Sequence, residues 1–122
     1  VCDRFHDSTR AYQGTLGSVE PGFLDTLERI TLGGARPDLT LILDLPATVG
    51  LARAALRRDA DAKPDRFERE SLAFHQKLRE AFLAIAASEP ERCVIVDAAQ
   101  SADDVEQAIW DTISHRLRVP AP

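Results

Sequence analysis

Residues 37–46 read PDLTLILDLP, a run of Leu and Ile closed by a proline at each end. It is too continuous for a strand with one wet face, which argues for a strand covered on both sides. Residues 93–98, CVIVDA, repeat the pattern as a second buried strand. Buried strands of this kind are usually parallel, and helical periodicity surrounds both. Helix and buried strand alternate along the chain, so the expectation is an α/β layered fold with helices on both faces of a parallel sheet.

Upstream of the first strand, residues 20–34, EPGFLDTLERITLGG, put Pro21 near a first helical position and space Phe23, Leu27 and Ile30 by four and three residues. Gly33 and Gly34 then stop the helix. Residues 6–14, HDSTRAYQG, offer Asp7 or Ser8 as a cap and Gly14 as a stop, which predicts a short helix of about two turns. Downstream, TVGLARAALRR (residues 48–58) resumes the helical pattern behind a Thr48 cap. RRDADAKPDRFERE (residues 57–70) is a mixed-charge loop that Pro64 keeps from being helical. From Asp65, a long amphipathic helix is expected, with Phe67, Phe74, Leu78, Phe82 and Ile85 on one face up to Glu89 and Pro90. Ser101 and Asp104 form a weakened capping box before a last helix whose buried stripe is Val105, Ile109, Ile113 and Leu117, with Trp110 as partial core beside it.

A chain of 122 residues is one domain's worth, and 44% hydrophobic with 29% charged residues is ordinary for a soluble globular protein. No apolar stretch approaches a membrane span and no leader pattern is present, so a cytoplasmic protein without membrane partners is expected. The formal net charge of −5 argues against a broad attractive field for nucleic acid. Cys2 and Cys93 read as free thiols acting as small hydrophobes rather than as a disulfide. His6, His75 and His115 lack metal-ligand spacing, and Ser8 has no nearby His-Asp arrangement that would support nucleophilic hydrolysis.

Only two complete strands are read. Two adjacent parallel strands leave open edges and a thin core, so either another chain finishes the sheet or part of the domain is missing. Val1 and Cys2 favour the second reading, since they look like the end of a strand that begins upstream. Asp3 and Arg4 then fall where a parallel strand gives way to a helix, the edge at which open α/β sheets bind ligands. Arg4 can offer a planar fork to a phosphate, and the carboxylate of Asp3 would repel that anion unless a cation lay between, which suggests Mg²⁺. From these two residues alone, a helix cap or an ion pair with neighbours serves as well.

The longer string decides more. CDRFHDSTRAYQG (residues 2–14) resembles the substrate-binding segment of thymidylate kinases, in which Asp-Arg-aromatic is followed by a Ser-Thr pair and Ala-Tyr-Gln-Gly. PDLTLILDLP resembles that family's next strand, GLARAALRR its helix into the lid, DRFERESLAFHQKLREAFLAIA its lid exit helix, and CVIVDAAQSADDV its last strand and adenine-side loop. The resemblance implies a three-layer kinase-like fold of the phosphate-loop class that is incomplete at its N-terminal side. No GxxxxGKS or GxxxxGKT string occurs in the sequence, so this chain alone is expected to be inactive.

By that resemblance, the function is transfer of the γ-phosphoryl group of ATP, as co-substrate, to dTMP. Arg4 would grip the dTMP phosphate and Asp3 would hold Mg²⁺ through water. Thr9 would meet the thymine edge, Ser8 and Gln13 would line the pocket, and Tyr12 would pack by the sugar. Phe5 stands where the family usually has Tyr or His. Arg57, Arg58, Lys63 and Arg66, in a lid over residues 57–66, would neutralise the transferring group. Arg53 and Ala98, Ala99 and Gln100 would flank the adenine. The partner it implies is a second copy, paired through helices near residues 8–32. Two alternatives stand beside it: a related nucleotide kinase with another base preference, and a non-catalytic nucleotide-binding or assembly fragment.

Overall fold

The computed structural model describes residues 1–17, 19–57 and 70–118. Arg58, Lys63, Arg66 and Phe67, with most of the expected lid, lie outside the described residues. In chain order the elements are α1 (His6–Thr9), a π-helical segment (Arg10–Leu16), α2 (Pro21–Leu32), β1 (Thr40–Asp44), α3 (Ala47–Arg57), α4 (Leu72–Ser88), β2 (Cys93–Asp97) and α5 (Ala102–Leu117). The two apolar runs are the two strands, and they pair in parallel from Thr40 beside Cys93 to Asp44 beside Asp97. A parallel pair needs a crossover, and α3 and α4 supply it.

Because side chains alternate along a strand, Ile42 and Cys93 share one sheet face while Leu43 and Val96 share the other. Ile42 and Cys93 pack into a buried cluster with Ala81, Ile85 and Ala86 of α4 and Ala11 of the π segment, flanked by Tyr12, Leu78 and Phe82. α5 packs against β2. The expectation that both strands are covered throughout needs correction: Leu43 is 53% exposed and Ile95 48%. Among the described residues the sheet has two strands, so the flanking helices cover only part of it.

Local chemistry fixes most helix ends. Gly33 closes α2 in the left-handed region at φ 55°, as the sequence predicts, while the Glu20 carboxylate caps its start by accepting from the backbone N–H of Gly22 and Phe23. Ser101 caps α5: its hydroxyl accepts from the Asp104 N–H and donates to the Asp104 carboxylate. Helix α4 begins at Leu72, where the Ser71 hydroxyl accepts from the Phe74 N–H and sets the first turn; the expected start at Asp65 lies outside the described residues. Helix α3 begins at Ala47, one residue before the expected Thr48 cap, with the Pro46 carbonyl accepting from Val49 and Gly50.

The opening segment departs furthest from expectation. Val1 and Cys2 form no strand, and Cys2 is exposed whereas Cys93 is buried. α1 starts at His6 without a side-chain cap, and neither Asp7 nor Ser8 caps it. Gly14 does not end the helix, which continues to Leu16. A Cβ at Gly14 would lie 2.9 Å from Leu24 Cδ1, so the glycine serves close docking of α2. Leu24 of α2 is accordingly buried, while Phe23, Leu27 and Ile30 are exposed.

Candidate functional site

Arg4 stands at φ 63°, a left-handed conformation that costs an L-residue with a Cβ about 1–2 kcal/mol. Strain of this kind persists where surrounding contacts hold it. Here the guanidinium lies over the Tyr12 ring, 4.8 Å from its centroid, and Nε donates to the Ser8 hydroxyl at 3.3 Å. Among the described residues, the two terminal nitrogens of Arg4 hold no hydrogen bond. Tyr12 is in turn fixed between Phe74 and Phe82 of α4, at 6.5 and 6.4 Å between ring centroids.

Arg4, Ser8, Thr9, Tyr12 and Gln13 line one open cavity of about 530 Å³, to which Glu70 and Phe74 also contribute. The lining therefore carries a cation, two hydroxyls, an amide, a phenol, an aromatic ring and the Glu70 carboxylate. Such a cavity can hold a planar ring and pair an anion with the open guanidinium fork. Phe5 is not part of it; its ring packs edge-on against His6. Asp3 is exposed and, among the described residues, forms no ion pair.

An ionic cluster built around the buried Asp7, its other members half-buried, holds this wall to the strands. The carboxylate of Asp7, a residue 4% exposed, accepts from both terminal nitrogens of Arg92, at 2.7 and 2.9 Å, and from the Thr40 hydroxyl at 3.2 Å. Arg92 also donates to Thr40 and to Glu89, and Arg10 bridges Glu89 and Asp7. Burial alone would raise the pKa of Asp7, but the hydrogen bonds from Arg92 and Thr40 and the nearby His6 and Arg92 charges outweigh it and hold the carboxyl below its ordinary value. Glu89 behaves alike: burial opposes ionisation, and Arg10 and Arg92 overcome it. Burial pushes the Cys93 thiol up.

The carboxyl ends of β1 and β2 form a second locus. Arg53 of α3 donates to the carbonyls of Ala98 and Ala99, at 2.7 and 3.1 Å, so the structure brings together the residues expected on the adenine side. Gln100 is exposed beside them. Arg79 holds Asp44 with two hydrogen bonds at 2.7 and 2.8 Å, and these keep the Asp44 carboxyl below the usual range. A cavity of about 310 Å³ opens there between α3 and α4. Arg57, the last residue of α3, lines neither cavity.

Sequence reasoning missed Asp7, Arg10, Thr40, Glu89 and Arg92 as a unit. The only signal was composition: two acids and two arginines lying outside the apolar stripes. Among the described residues no cluster of three or more His, Cys, Asp or Glu could hold a metal ion. A lone carboxylate such as Asp3 still fits Mg²⁺, which keeps several waters and takes one or two carboxylates with substrate phosphates. No helix among the described residues is long and apolar enough to cross a membrane.

Comparison with known proteins follows the same segments. The family model for thymidylate kinase matches residues 1–109. The thymidylate kinase of Bradyrhizobium diazoefficiens is 56% identical over 122 residues, which is 100% of this chain and 53% of the relative. That of Nitrobacter hamburgensis is 56% identical over 119 residues, 98% of this chain and 51% of the relative. That of Nitrobacter winogradskyi is 57% identical over 116 residues, 95% and 50% respectively. The chain spans about half the length of the curated relatives it matches.

Proposed function

We propose that this chain, which belongs to the thymidylate kinase family, forms the dTMP-side and lid-side portion of a cytoplasmic enzyme that transfers the γ-phosphoryl group of ATP to dTMP. The observation that carries the reading is Arg4, strained and stacked on Tyr12 with its fork open, in a cavity lined by Ser8, Thr9 and Gln13. The fork would take the dTMP phosphate through paired charge-assisted hydrogen bonds, each worth about 1.5–3 kcal/mol. Thr9, Ser8 and Gln13 would meet the polar edge of thymine, with Phe74 offering a flat face to the ring.

In phosphoryl transfer the protein's work is positioning and charge neutralisation. Holding dTMP by both its base and its phosphate would set an acceptor oxygen in line with the γ-phosphorus. Arg57, Arg58, Lys63 and Arg66 would fold over the crowded oxygens, and Arg53 would present the 98–100 loop to adenine. Asp3 would hold Mg²⁺ through water. When bound, that ion supplies charge neutralisation across the phosphate oxygens. Since the sequence holds no GxxxxGKS/T string, the cradle for the ATP triphosphate would come from the complete protein. The exposed apolar stripe Phe23, Leu27 and Ile30 supports a homodimer formed through α2.

The test is phosphorylation of dTMP, dUMP and dCMP by the complete protein with Mg-ATP. Preference for dTMP by at least about tenfold, the range one or two base contacts provide, is expected. Equal use of the three would replace this reading with a kinase of another base preference, and no transfer would favour a non-catalytic role.

A further inference from the structure

The wall that carries Ser8, Thr9 and Tyr12 has little intrinsic stability. α1 is four residues long, lacks a side-chain cap and opens into the π-helical segment. An isolated helix so short does not persist in water. Ala11 and Tyr12 tie the following segment to α4 by apolar packing, and α1 itself is tied to the strands by polar contacts: buried Asp7, one residue before Ser8, is gripped by Arg92 from the entry to β2 and by Thr40 from the first position of β1. Arg10, one residue after Thr9, is tied to Glu89 at the end of α4. The anchors thus bracket the two hydroxyl residues that line the cavity.

Apolar packing of the same volume would stabilise a fold as well as a buried ion pair does, because desolvation offsets most of the Coulombic gain. A bidentate guanidinium–carboxylate pair provides what apolar packing does not: it fixes orientation as well as distance. Rotation of α1 about its axis would break one arm of the fork before any side chain lost contact area. We infer that Asp7 and Arg92 are positioning residues for the acceptor nucleotide, setting the rotation of α1 so that Ser8 and Thr9 face the cavity while Arg4 lies over Tyr12. This rests on the kinase reading above. Neither residue touches the cavity, so both act through the helix.

The experiment uses the complete protein, with Asp7→Asn, Arg92→Gln, their double variant and the milder Arg92→Lys, each assayed well below its own melting temperature. Misplacing a binding group by about 1 Å can cost on the order of a hundredfold, and a loosened helix recovers part of that. The expected result is a rise of about tenfold in KM for dTMP in each single variant, with KM for ATP within about twofold of wild type. The double variant should be no worse than the worse single. Arg92→Lys keeps the charge but loses the fork, so it should also raise KM for dTMP, and it serves if Asp7→Asn does not fold. Lowered melting temperatures with unmoved KM for dTMP, or equal rises for both substrates, would overturn the inference and leave the kinase reading intact. A wild type that does not phosphorylate dTMP overturns both.

Discussion

Replacing Arg92 with methionine removes the guanidinium from the ionic cluster while keeping most of the side-chain volume. Arg92 gives Asp7 two hydrogen bonds at 2.7 and 2.9 Å and also bonds Thr40 and Glu89. Without it, Asp7 keeps the Thr40 hydroxyl and the more distant Arg10 and His6, each at 3.4 Å. Breaking a buried pair from one side costs about 3–5 kcal/mol, and the contacts that remain put this case at the lower end, about 3 kcal/mol. The relatives are about twice the length of this chain. In a protein of that size each kcal/mol moves the melting temperature by about 2–4 °C, so a fall of about 6–12 °C is expected. Urea denaturation of the complete protein supplies the free energy directly, provided the denaturant slope is unchanged. The double variant Asp7→Leu/Arg92→Met removes the stranded charge and should recover at least about 1 kcal/mol relative to the sum of the singles. A loss below about 1 kcal/mol for Arg92→Met, or strict additivity, would refute the reasoning.

Further expectations follow from the same contacts. Asp7, Glu89 and Asp44 are all held below their ordinary pKa, so their stabilisation is complete above about pH 4–5 and is lost as pH falls through the lower folded values. The melting temperature should therefore be flat from about pH 7 to 5 and drop below about pH 4, more steeply in wild type than in Asp7→Asn; identical profiles would contradict this. Gly33→Ala meets no atom within 4 Å, so its cost is that of φ 55° alone, about 1 kcal/mol by denaturation. With Leu43 and Ile95 half exposed on a two-stranded sheet, this chain expressed alone should associate or melt without cooperativity, and a sharp melt of a monomer would contradict that.

The strands were legible because both carry short runs of Leu, Ile and Val, LIL in β1 and VIV in β2, and both are strands in the expected parallel pairing, although Leu43 and Ile95 are not covered as those runs suggested. Gly33 and the Ser101 cap were legible for the same reason, each being chemistry within a few residues. The residues of the cavity wall could be listed from the sequence, since Arg4 to Gln13 lie within ten consecutive positions, although Arg4 itself precedes the helix in a left-handed conformation. Phe74 could not, because it arrives from α4. Least visible was the ionic cluster. Asp7 and Arg92 are 85 residues apart, and nothing near Asp7 distinguishes a buried anchor from a helix cap. The spacing of Phe23, Leu27 and Ile30 correctly marks a helix but not its buried face, which Gly14 decides by admitting Leu24.

The most direct test is calorimetric titration of the complete protein, wild type and Arg4→Ala, with dTMP and with thymidine, which lacks only the phosphate. Wild type should bind dTMP about 10- to 100-fold more tightly than thymidine, the worth of one or two charge-assisted hydrogen bonds, and Arg4→Ala should bind the two nearly alike. A variant that keeps the full preference for dTMP would contradict the assignment of Arg4 to the phosphate.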